Sequence, residues 1–259
     1  MNRGVSTWLA RMTIRMRHLL AWHYGRVADL DAFGCGVSDD VVAVGLVDGT
    51  IFYGHLPAWW ERVIYRCCMP RYVKDRIPEN CFGVAHDIIM RYISPDVSWL
   101  SPGMTVVEVG AYTGFWAMRC AELVGPKGCV VAIEAEPCNA ALLRANVAGN
   151  CLDNVYPVAK AAWRERGELP LYRYRRQING AYRVDPRQKN LVNVPCDTVD
   201  GMLSELGVGA VDAVRIQVNG AEDDVLAGMT ETLKYNPRLR VARWGRSALA
   251  SNRSGVRES

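Results

Sequence analysis

The sequence of 259 residues lacks a long apolar run and a secretory signal. No stretch of 18 or more apolar residues is present, which argues against a transmembrane helix. Arg11, Arg15 and Arg17 interrupt any apolar segment near the N-terminus, and no small-residue cleavage site follows. Half of the residues are hydrophobic and 22% are charged, as in folded globular proteins. We therefore predict a globular, cytoplasmic protein.

The cysteines lack the spacing of a metal site or a disulfide framework. Nine cysteines are present, including the adjacent pair Cys67 and Cys68, but no C-x-x-C motif occurs. An odd number without framework spacing indicates reduced thiols, as in the cytosol. Clustered Cys and His ligands are also missing, so we predict no zinc site and no other metal.

The sequence also lacks a net positive charge in the part between its two ends. Residues 1–30 contain five arginines and one acid, and residues 238–259 contain six arginines and one acid. The whole chain has a formal net charge of only +4, so the part between the two ends is net acidic. A nucleic-acid binder is expected to have a basic face on its folded body, and we predict no specific nucleic-acid partner.

The N-terminal part, residues 1–101, is predicted to be a helical and hairpin extension. The apolar residues of segment 5–27 fall on one helical stripe with arginines between them. This segment either contacts a membrane surface peripherally or packs on its own domain, and the second interpretation is favoured. The run 41–47, an Asp-Gly turn and the run 50–54 then predict a β-hairpin. Residues 59–68 and 86–93 have helical patterns.

From Pro102 onwards the pattern alternates between apolar strands and helices. The predicted strands are Thr105–Val109, Cys129–Ile133, Val155–Ala159, residues 211–218 and Leu239–Ala242, and the predicted helices are Thr113–Val124, residues 137–148 and Glu222–Leu233. This order predicts an α/β, doubly wound, mostly parallel sheet in a domain spanning 102–244. Residues 169–174 and 191–196 predict a further strand pair. Residues 245–259 are predicted to be a disordered basic tail.

The most informative motif joins the first of these strands to its helix. It reads V-V-E-V-G-A-Y-T-G-F over residues 106–115. Gly110 allows a tight turn, and Gly114 allows the helix to start close to the sheet. In a doubly wound sheet, this turn borders the ligand crevice. We predict that Glu108, Gly110, Ala111, Tyr112 and Gly114 bind a cofactor.

Two classes of cofactor use such a turn. Dinucleotide sites prefer G-x-G-x-x-G, and the middle glycine is absent here. Glu108 would repel a pyrophosphate but would suit a cationic ligand with an amino group, such as S-adenosylmethionine. Glu134 ends the next strand, 24 positions after Gly110, where a carboxylate can accept both ribose hydroxyls. Glu136 is a weaker candidate for that role.

These motifs, together with a later one, resemble the FkbM-type family of S-adenosylmethionine-dependent methyltransferases. Four segments within roughly residues 102–235 carry the resemblance: 107–114, 125–134 with 142–147, 198–200 and 216–228, the last reading I-Q-V-N-G-A-E-D-D-V-L-A-G. The resemblance implies a class I methyltransferase fold with S-adenosylmethionine as cofactor. It implies O-methylation of a small-molecule or sugar hydroxyl.

The sequence departs from this family where chemistry is expected. The family's fourth-strand motif usually reads K-I-D-x-E-G, whereas Arg215, Gln217 and Asn219 stand at its charged positions here. Glu222 remains, and Gln217, Asn219 and Glu222 are the candidate catalytic residues. Because Gln and Asn cannot accept a proton at neutral pH, a general base is missing from positions 217 and 219.

Three functions stay open from the sequence. The first is an active methyltransferase whose changed amides bind substrate or cofactor. The second is a cofactor-binding pseudoenzyme without transferase activity. The third, an NAD-dependent oxidoreductase, is disfavoured by Glu108 and by the absent middle glycine.

The end of the sheet is the second departure. Class I methyltransferases continue with two more strands after the fifth, and these C-terminal strands are missing from the pattern. The fifth strand would then be a sheet edge, which is an aggregation hazard unless it is covered. We expect the N-terminal region, an oligomer contact or another partner to cover it, or the reading frame to be truncated.

Overall fold

The computed structural model divides into two compact units, Met1–Pro95 and Asp96–Ser259. It describes residues 32–38, 41–46, 49–57, 62, 65–66, 79–93, 97–175, 178–180 and 191–242. The predicted N-terminal helix over 5–27, most of the helical pattern over 59–68 and the predicted tail over 245–259 lie outside these ranges. No helix in the described ranges is both long and apolar enough to cross a membrane.

The first unit contains a three-stranded antiparallel sheet, β1 (Ala32–Ser38), β2 (Val41–Leu46) and β3 (Ile51–His55), in that order. The predicted hairpin is confirmed as β2 and β3, whereas β1 was not predicted. A short 3₁₀ turn (Glu79–Cys81), helix α1 (Phe82–Asp87) and a π-helix (Ile88–Ile93) follow. The apolar side chains of β2 and β3 alternate between buried and half-buried positions, as expected for a sheet with one covered face.

One cysteine of this unit corrects the prediction of reduced thiols. Cys81 is disulfide-bonded, whereas Cys120, Cys129, Cys138, Cys151 and Cys196 are free. A disulfide requires two close Cα atoms, and sequence spacing alone does not reveal that proximity. Disulfides are rare in reducing compartments, so this bond counts against the predicted cytoplasmic location. That location stays a prediction.

The second unit is built from nine strands and five helices in the residues described. The strands are β4 (Thr105–Val109), β5 (Cys129–Ile133), β6 (Val155–Val158), β7 (Ala161–Ala162), β8 (Gly167–Arg175), β9 (Ile178–Gly180), β10 (Leu191–Asp197), β11 (Ala213–Ile216) and β12 (Arg238–Val241). The helices are α2 (Phe115–Val124), α3 (Pro137–Gly149), α4 (Val199–Glu205), α5 (Glu222–Ala227) and α6 (Thr230–Lys234).

The main sheet has five parallel strands in the order β12-β11-β4-β5-β6. Helices connect these strands, so the predicted doubly wound α/β fold is confirmed. Successive residues of β4 face opposite sides: Val106 packs in one apolar core with α2, and Val107 packs in the other with α4 and α5. Both faces of the sheet are therefore buried, which explains why its strands are continuous apolar runs.

A second sheet of the same unit has the order β7-β10-β8-β9. The strand pair predicted over 169–174 and 191–196 is confirmed as β8 and β10, which run antiparallel with Leu169 opposite Val194. Its small core contains Ala161, Leu171, Val194 and Cys196.

The single helix predicted over 222–233 is wrong, because α5 and α6 are separate. The chain passes so close to itself at Gly228 that an added Cβ would lie 2.0 Å from the carbonyl oxygen of Trp163. Helix α6 starts anew at Thr230, where Asp200 from α4 accepts hydrogen bonds from the backbone N–H groups of Glu231 and Thr232, both at 2.8 Å. A tertiary contact therefore overrides a local pattern that continues through the break.

Replacing Asp200 with alanine is expected to lower the free energy of unfolding by about 2 kcal/mol at neutral pH, because α6 loses its cap. Burial tends to raise the pKa of Asp200, but hydrogen bonds from Thr232 and Glu231 outweigh it and lower the pKa. The stabilisation is therefore complete above the ordinary pKa of an aspartate and is lost as the pH falls through the lowered value.

Urea denaturation at several pH values measures this effect. The difference between Asp200→Ala and the wild type is expected to shrink at acidic pH. Glu231→Ala is a suitable control, since Glu231 forms an exposed pair with Lys234 and is expected to contribute less than about 0.5 kcal/mol. A difference that grew at acidic pH would contradict the capping role.

Candidate active site

The loop that follows β4 is fastened to the end of β5 through its own backbone. The N–H groups of Gly110 and Ala111 donate to the carbonyl oxygen of Ile133 at 2.9 and 3.0 Å. The N–H group of Tyr112 donates to Oε2 of Glu134 at 2.8 Å. Gly110 has a positive φ of 83°, and Tyr112 has one of 55°, which is rare for a residue with a side chain. The hydrogen bond to Glu134 holds Tyr112 in this backbone conformation.

These hydrogen bonds decide which cofactor the loop fits. A dinucleotide site presents backbone N–H groups to the pyrophosphate. Here the N–H groups of Gly110, Ala111 and Tyr112 are directed to the chain itself. The loop therefore offers poor ligands for a phosphate, and it suits a cofactor that has none.

Glu134 lies at the carboxyl end of β5 and is only 8% exposed. Its Oε1 accepts from the N–H group of Glu136 at 3.0 Å and from Nδ2 of Asn139 at 3.4 Å. Burial raises the pKa of Glu134 above its ordinary range, although the hydrogen bonds from Glu136 and Tyr112 oppose the shift. A carboxylate oxygen has two lone pairs, so Oε1 is fully used by these two bonds and Oε2, which accepts from Tyr112, can accept one further hydrogen bond. The residue can therefore accept a hydrogen bond from one ribose hydroxyl of S-adenosylmethionine through Oε2.

Glu136, the weaker candidate for this role, is the N-cap of α3. Its side chain accepts from the N–H group of Asn139 at 2.8 Å, and Pro137 occupies the first turn. This arrangement satisfies one of the free N–H groups at the helix start. Glu136 therefore has a structural role.

Glu108 forms a buried ion pair with Arg215. Glu108 lies on β4, is 1% exposed and is directly opposite Arg215 on β11. Nη1 of Arg215 donates to Oε1 of Glu108, and Nη2 donates to Oε1 of Gln217. The guanidinium also lies 4.9 Å from the ring centroid of Trp116 on α2. Arg215 is thus held by a carboxylate, an amide and an aromatic face.

The pair changes what Glu108 can offer a ligand. The guanidinium offsets its negative charge, so a cationic amino group would meet a partly neutralised carboxylate. A direct contact between Glu108 and the cofactor stays a prediction. Burial, with the charge of Glu108 as a further cause, raises the pKa of Cys120 above its ordinary range, so this thiol stays uncharged.

The three candidate catalytic residues all follow the end of β11. Gln217 and Asn219 are half-buried. Glu222 is 7% exposed at the start of α5, and its Oε1 accepts from the N–H group of Gly220 at 3.2 Å. Gln217 also lies against the cofactor loop, because its N–H group donates to the carbonyl oxygen of Val109 at 2.8 Å. Their roles in catalysis stay predictions.

Arg215 and Trp116 are the parts of this site that the sequence did not assign. Arg215 was identified only as a departure from a motif. The available signal is the period of two along a strand, which places residues 108, 215 and 217 on one face once β4 and β11 are neighbours. In the described part of the chain, no group of three or more His, Cys, Asp or Glu side chains is arranged to hold a metal ion.

Fold and site together define an α/β methyltransferase domain. Its cofactor loop suits a cofactor that has no phosphate group. The chain belongs to the FkbM methyltransferase family, since the model of the methyltransferase FkbM domain matches residues 108–244. The family assignment made from the motifs is therefore confirmed, and the cofactor of this family is S-adenosylmethionine. The oxidoreductase alternative has no support from this assignment.

Several known proteins are similar to parts of the chain. Ribosomal RNA large subunit methyltransferase E of Chromohalobacter salexigens is 54% identical over 33 residues, 13% of this chain and 16% of the relative. The structure of methyltransferase FkbM from Methylobacillus flagellatus KT is 13% identical, covering 69% of this chain and 46% of that one, with a TM-score of 0.41.

Aeropyrum pernix fibrillarin with natively bound S-adenosyl-L-methionine is 14% identical, covering 81% of this chain and 75% of that one, with a TM-score of 0.34. The chain therefore spans about a sixth of the curated relative and less than half of the FkbM structure. At these TM-scores the two structures add nothing to the family assignment.

Proposed function

We propose that this chain transfers a methyl group from S-adenosylmethionine to an oxygen atom of a small molecule or sugar. The observation that carries the proposal is the loop after β4: the N–H groups of Gly110, Ala111 and Tyr112 bind the end of β5, and Glu134 lies at that strand end with one acceptor position left. The hydroxyl acceptor implied by the family resemblance is one member of this acceptor class.

The bound cofactor supplies an electrophilic methyl group on a sulfonium, and the chain positions it. Glu134 would accept a hydrogen bond from a ribose hydroxyl through Oε2. Gly110 lets the loop approach the strand end at Gln217, because it has no side chain there. The strand end at Gln217 borders the same loop and is the position from which an acceptor would be held. Positioning and exclusion of water contribute much of the rate in such a transfer.

Replacing Glu134 with glutamine is expected to weaken S-adenosylmethionine binding by about 100-fold or more. The charge-assisted hydrogen bond to the ribose is lost, and the new NH₂ group faces a backbone N–H group. Binding requires the ionised carboxylate. Affinity in the wild type is therefore expected to fall as the pH drops through the raised pKa of Glu134, and this fall starts above the ordinary range of a glutamate.

Isothermal calorimetry with S-adenosylmethionine measures both effects. Glu122→Gln is the matched control, because Glu122 forms an exposed pair with Arg119 on α2 at 2.8 Å and is expected to leave the affinity unchanged. Circular dichroism of both variants tests whether they fold. A folded Glu134→Gln variant with wild-type affinity would refute the ribose contact, and a wild type without binding would refute the function.

A second candidate function is a cofactor-binding pseudoenzyme. It is favoured by one observation: the side-chain carbonyl oxygen of Gln217 accepts a hydrogen bond from Arg215. In addition, the amides at positions 217 and 219 cannot accept a proton at neutral pH. Binding of S-adenosylmethionine without turnover, and turnover created by Gln217→Asp combined with Asn219→Glu, would support this candidate over the first.

The partners of the chain are proposals of the same kind. In the described residues, β12 pairs only with β11, so its other side is the edge of the main sheet. A second copy of the chain or another protein covering this edge is consistent with the hazard of an open edge. Peripheral contact with a membrane through residues 5–27 also stays a prediction.

A further inference from the structure

The side-chain amide of Gln217 has only one orientation compatible with its neighbour. A guanidinium has donors and no acceptor, so the group of Gln217 that faces Nη2 of Arg215 must be the carbonyl oxygen. Arg215 cannot turn away easily, because Glu108 binds its Nη1 and Trp116 lies beneath it. The NH₂ group of Gln217 is therefore directed away from Arg215.

This NH₂ group donates no hydrogen bond to the described residues of the domain. The structure gives Nε2 of Gln217 no acceptor among the described residues, and the side chain is half-buried. An aspartate, which the family motif has at this position, would present an acceptor and a base. The strand end of this chain presents a hydrogen-bond donor in its place.

The backbone that carries this side chain lies next to the cofactor loop. An added Cβ on Gly110 would lie 2.1 Å from the backbone carbonyl oxygen of Gln217, which shows how closely the two backbones approach. Glu222, the remaining acid of the motif, accepts a hydrogen bond from the backbone of Gly220 and caps its own turn. The two neutral amides and this engaged carboxylate make a poor general base.

We infer that the oxygen methylated by this chain belongs to a carboxylate of the acceptor, which Gln217 binds through Nε2. The inference rests on the proposed methyltransferase function and specifies its substrate class. A carboxylic acid has an ordinary pKa near ~4 and is already ionised at neutral pH. A carboxylate oxygen attacks the methyl carbon, the new C–O bond forms, and the C–S bond breaks with its electron pair going to sulfur. The products are a methyl ester and a thioether, and no proton has to be removed.

A hydroxyl acceptor fits these residues less well. Its proton would have to be taken by a base, which typically contributes ~10²–10⁴-fold to the rate. The NH₂ group of Gln217 can stabilise an oxygen that is negatively charged in the ground state, but it cannot accept a proton. The same residues that would disable a hydroxyl methyltransferase are therefore suited to carboxylate methylation.

The test uses the full chain, S-adenosylmethionine labelled in its methyl group, and three acceptor pools: carboxylic acids, phosphate monoesters and alcohols including sugars. Methyl esters release volatile labelled methanol in mild alkali, whereas methyl ethers do not. We expect alkali-labile label from the carboxylic acids only. We also expect kcat/KM for the acceptor, measured at saturating S-adenosylmethionine, to stay flat from about pH 6 to 9, since the transfer removes no proton.

Gln217→Glu is the diagnostic variant. Its carboxylate keeps the bond to Arg215 and the shape of the side chain, but it replaces the donor with a like charge. We expect kcat/KM for carboxylates to fall by about 100-fold, while calorimetric binding of S-adenosylmethionine stays within about twofold. Asn193→Asp, which adds a negative charge at an exposed position of β10, is the control and is expected to leave both values unchanged.

The outcomes separate the two proposals. Alkali-stable label, label from phosphate monoesters, or equal rates in Gln217→Glu and the wild type would overturn the carboxylate inference and leave the methyltransferase function standing. Cofactor binding without label from any pool would overturn the inference in favour of the pseudoenzyme. A wild type that does not bind S-adenosylmethionine would overturn both.

Discussion

Replacing Gly110 with alanine is expected to lower the free energy of unfolding by about 3–5 kcal/mol and to abolish S-adenosylmethionine binding. The φ of Gly110 is 83°, and an L-residue in the left-handed region costs about 1–2 kcal/mol. The larger part comes from contact, because the new Cβ would lie 2.1 Å from the carbonyl oxygen of Gln217. That oxygen belongs to a backbone held by β11, so the loop or the strand end must shift.

Gly207→Ala separates the two causes. Gly207 also has a positive φ, of 68°, but an added Cβ would have no atom within 4 Å. This control is expected to cost only about 1–2 kcal/mol and to retain the cofactor affinity. Urea denaturation and calorimetry measure the two quantities. Equal losses of stability in both variants would show that the close approach of Gly110 to Gln217 does not restrict this position.

Replacing Arg215 with methionine is expected to lower the free energy of unfolding by about 3–5 kcal/mol. Methionine fills much of the same volume over Trp116, but it leaves the charge of Glu108 buried without its guanidinium. It also removes the donor that orients Gln217. Denaturation at neutral pH is the measurement.

The double variant Arg215→Met with Glu108→Gln tests the electrostatic cause. Removing the buried charge is expected to restore most of the lost stability, because the uncompensated carboxylate is the main source of the loss. Arg240→Met is the matched control: Arg240 lies beside Arg215 on β12 but is exposed, and its replacement should change stability by less than about 0.5 kcal/mol. A double variant as unstable as Arg215→Met would assign the loss to packing.

The central strands could be predicted from the sequence because a parallel sheet buried on both faces requires continuous apolar runs. The bounds of β4 and β5 agree with the predicted ones. Helix α2 starts at Phe115 and not at Thr113, since Tyr112 and Gly114 have positive φ. Strand β1 was not predicted, as its alternating glycines give no apolar period. These differences arise where backbone conformation or tertiary contact outweighs local pattern.

The site was predictable to the extent that it depends on spacing. The position of Glu134 at the end of the strand after the glycine loop follows from the order of strand, helix and strand. The engagement of Glu108 and Gln217 by Arg215 does not follow from any local pattern. Glu108 and Arg215 are 107 positions apart, and only the register of β4 against β11 brings them opposite each other.

The cap that Asp200 provides to α6 has a consequence for the order of folding. A helix of five residues is too short to persist alone, and its first N–H groups are satisfied by a side chain 31 and 32 positions earlier in the chain. Helix α6 therefore cannot form before the segment of Asp200 has docked. We expect the strand that follows it, β12, to join the sheet late. We expect this edge to be the last part of the sheet to protect its amides during refolding and the first to exchange them in the native state.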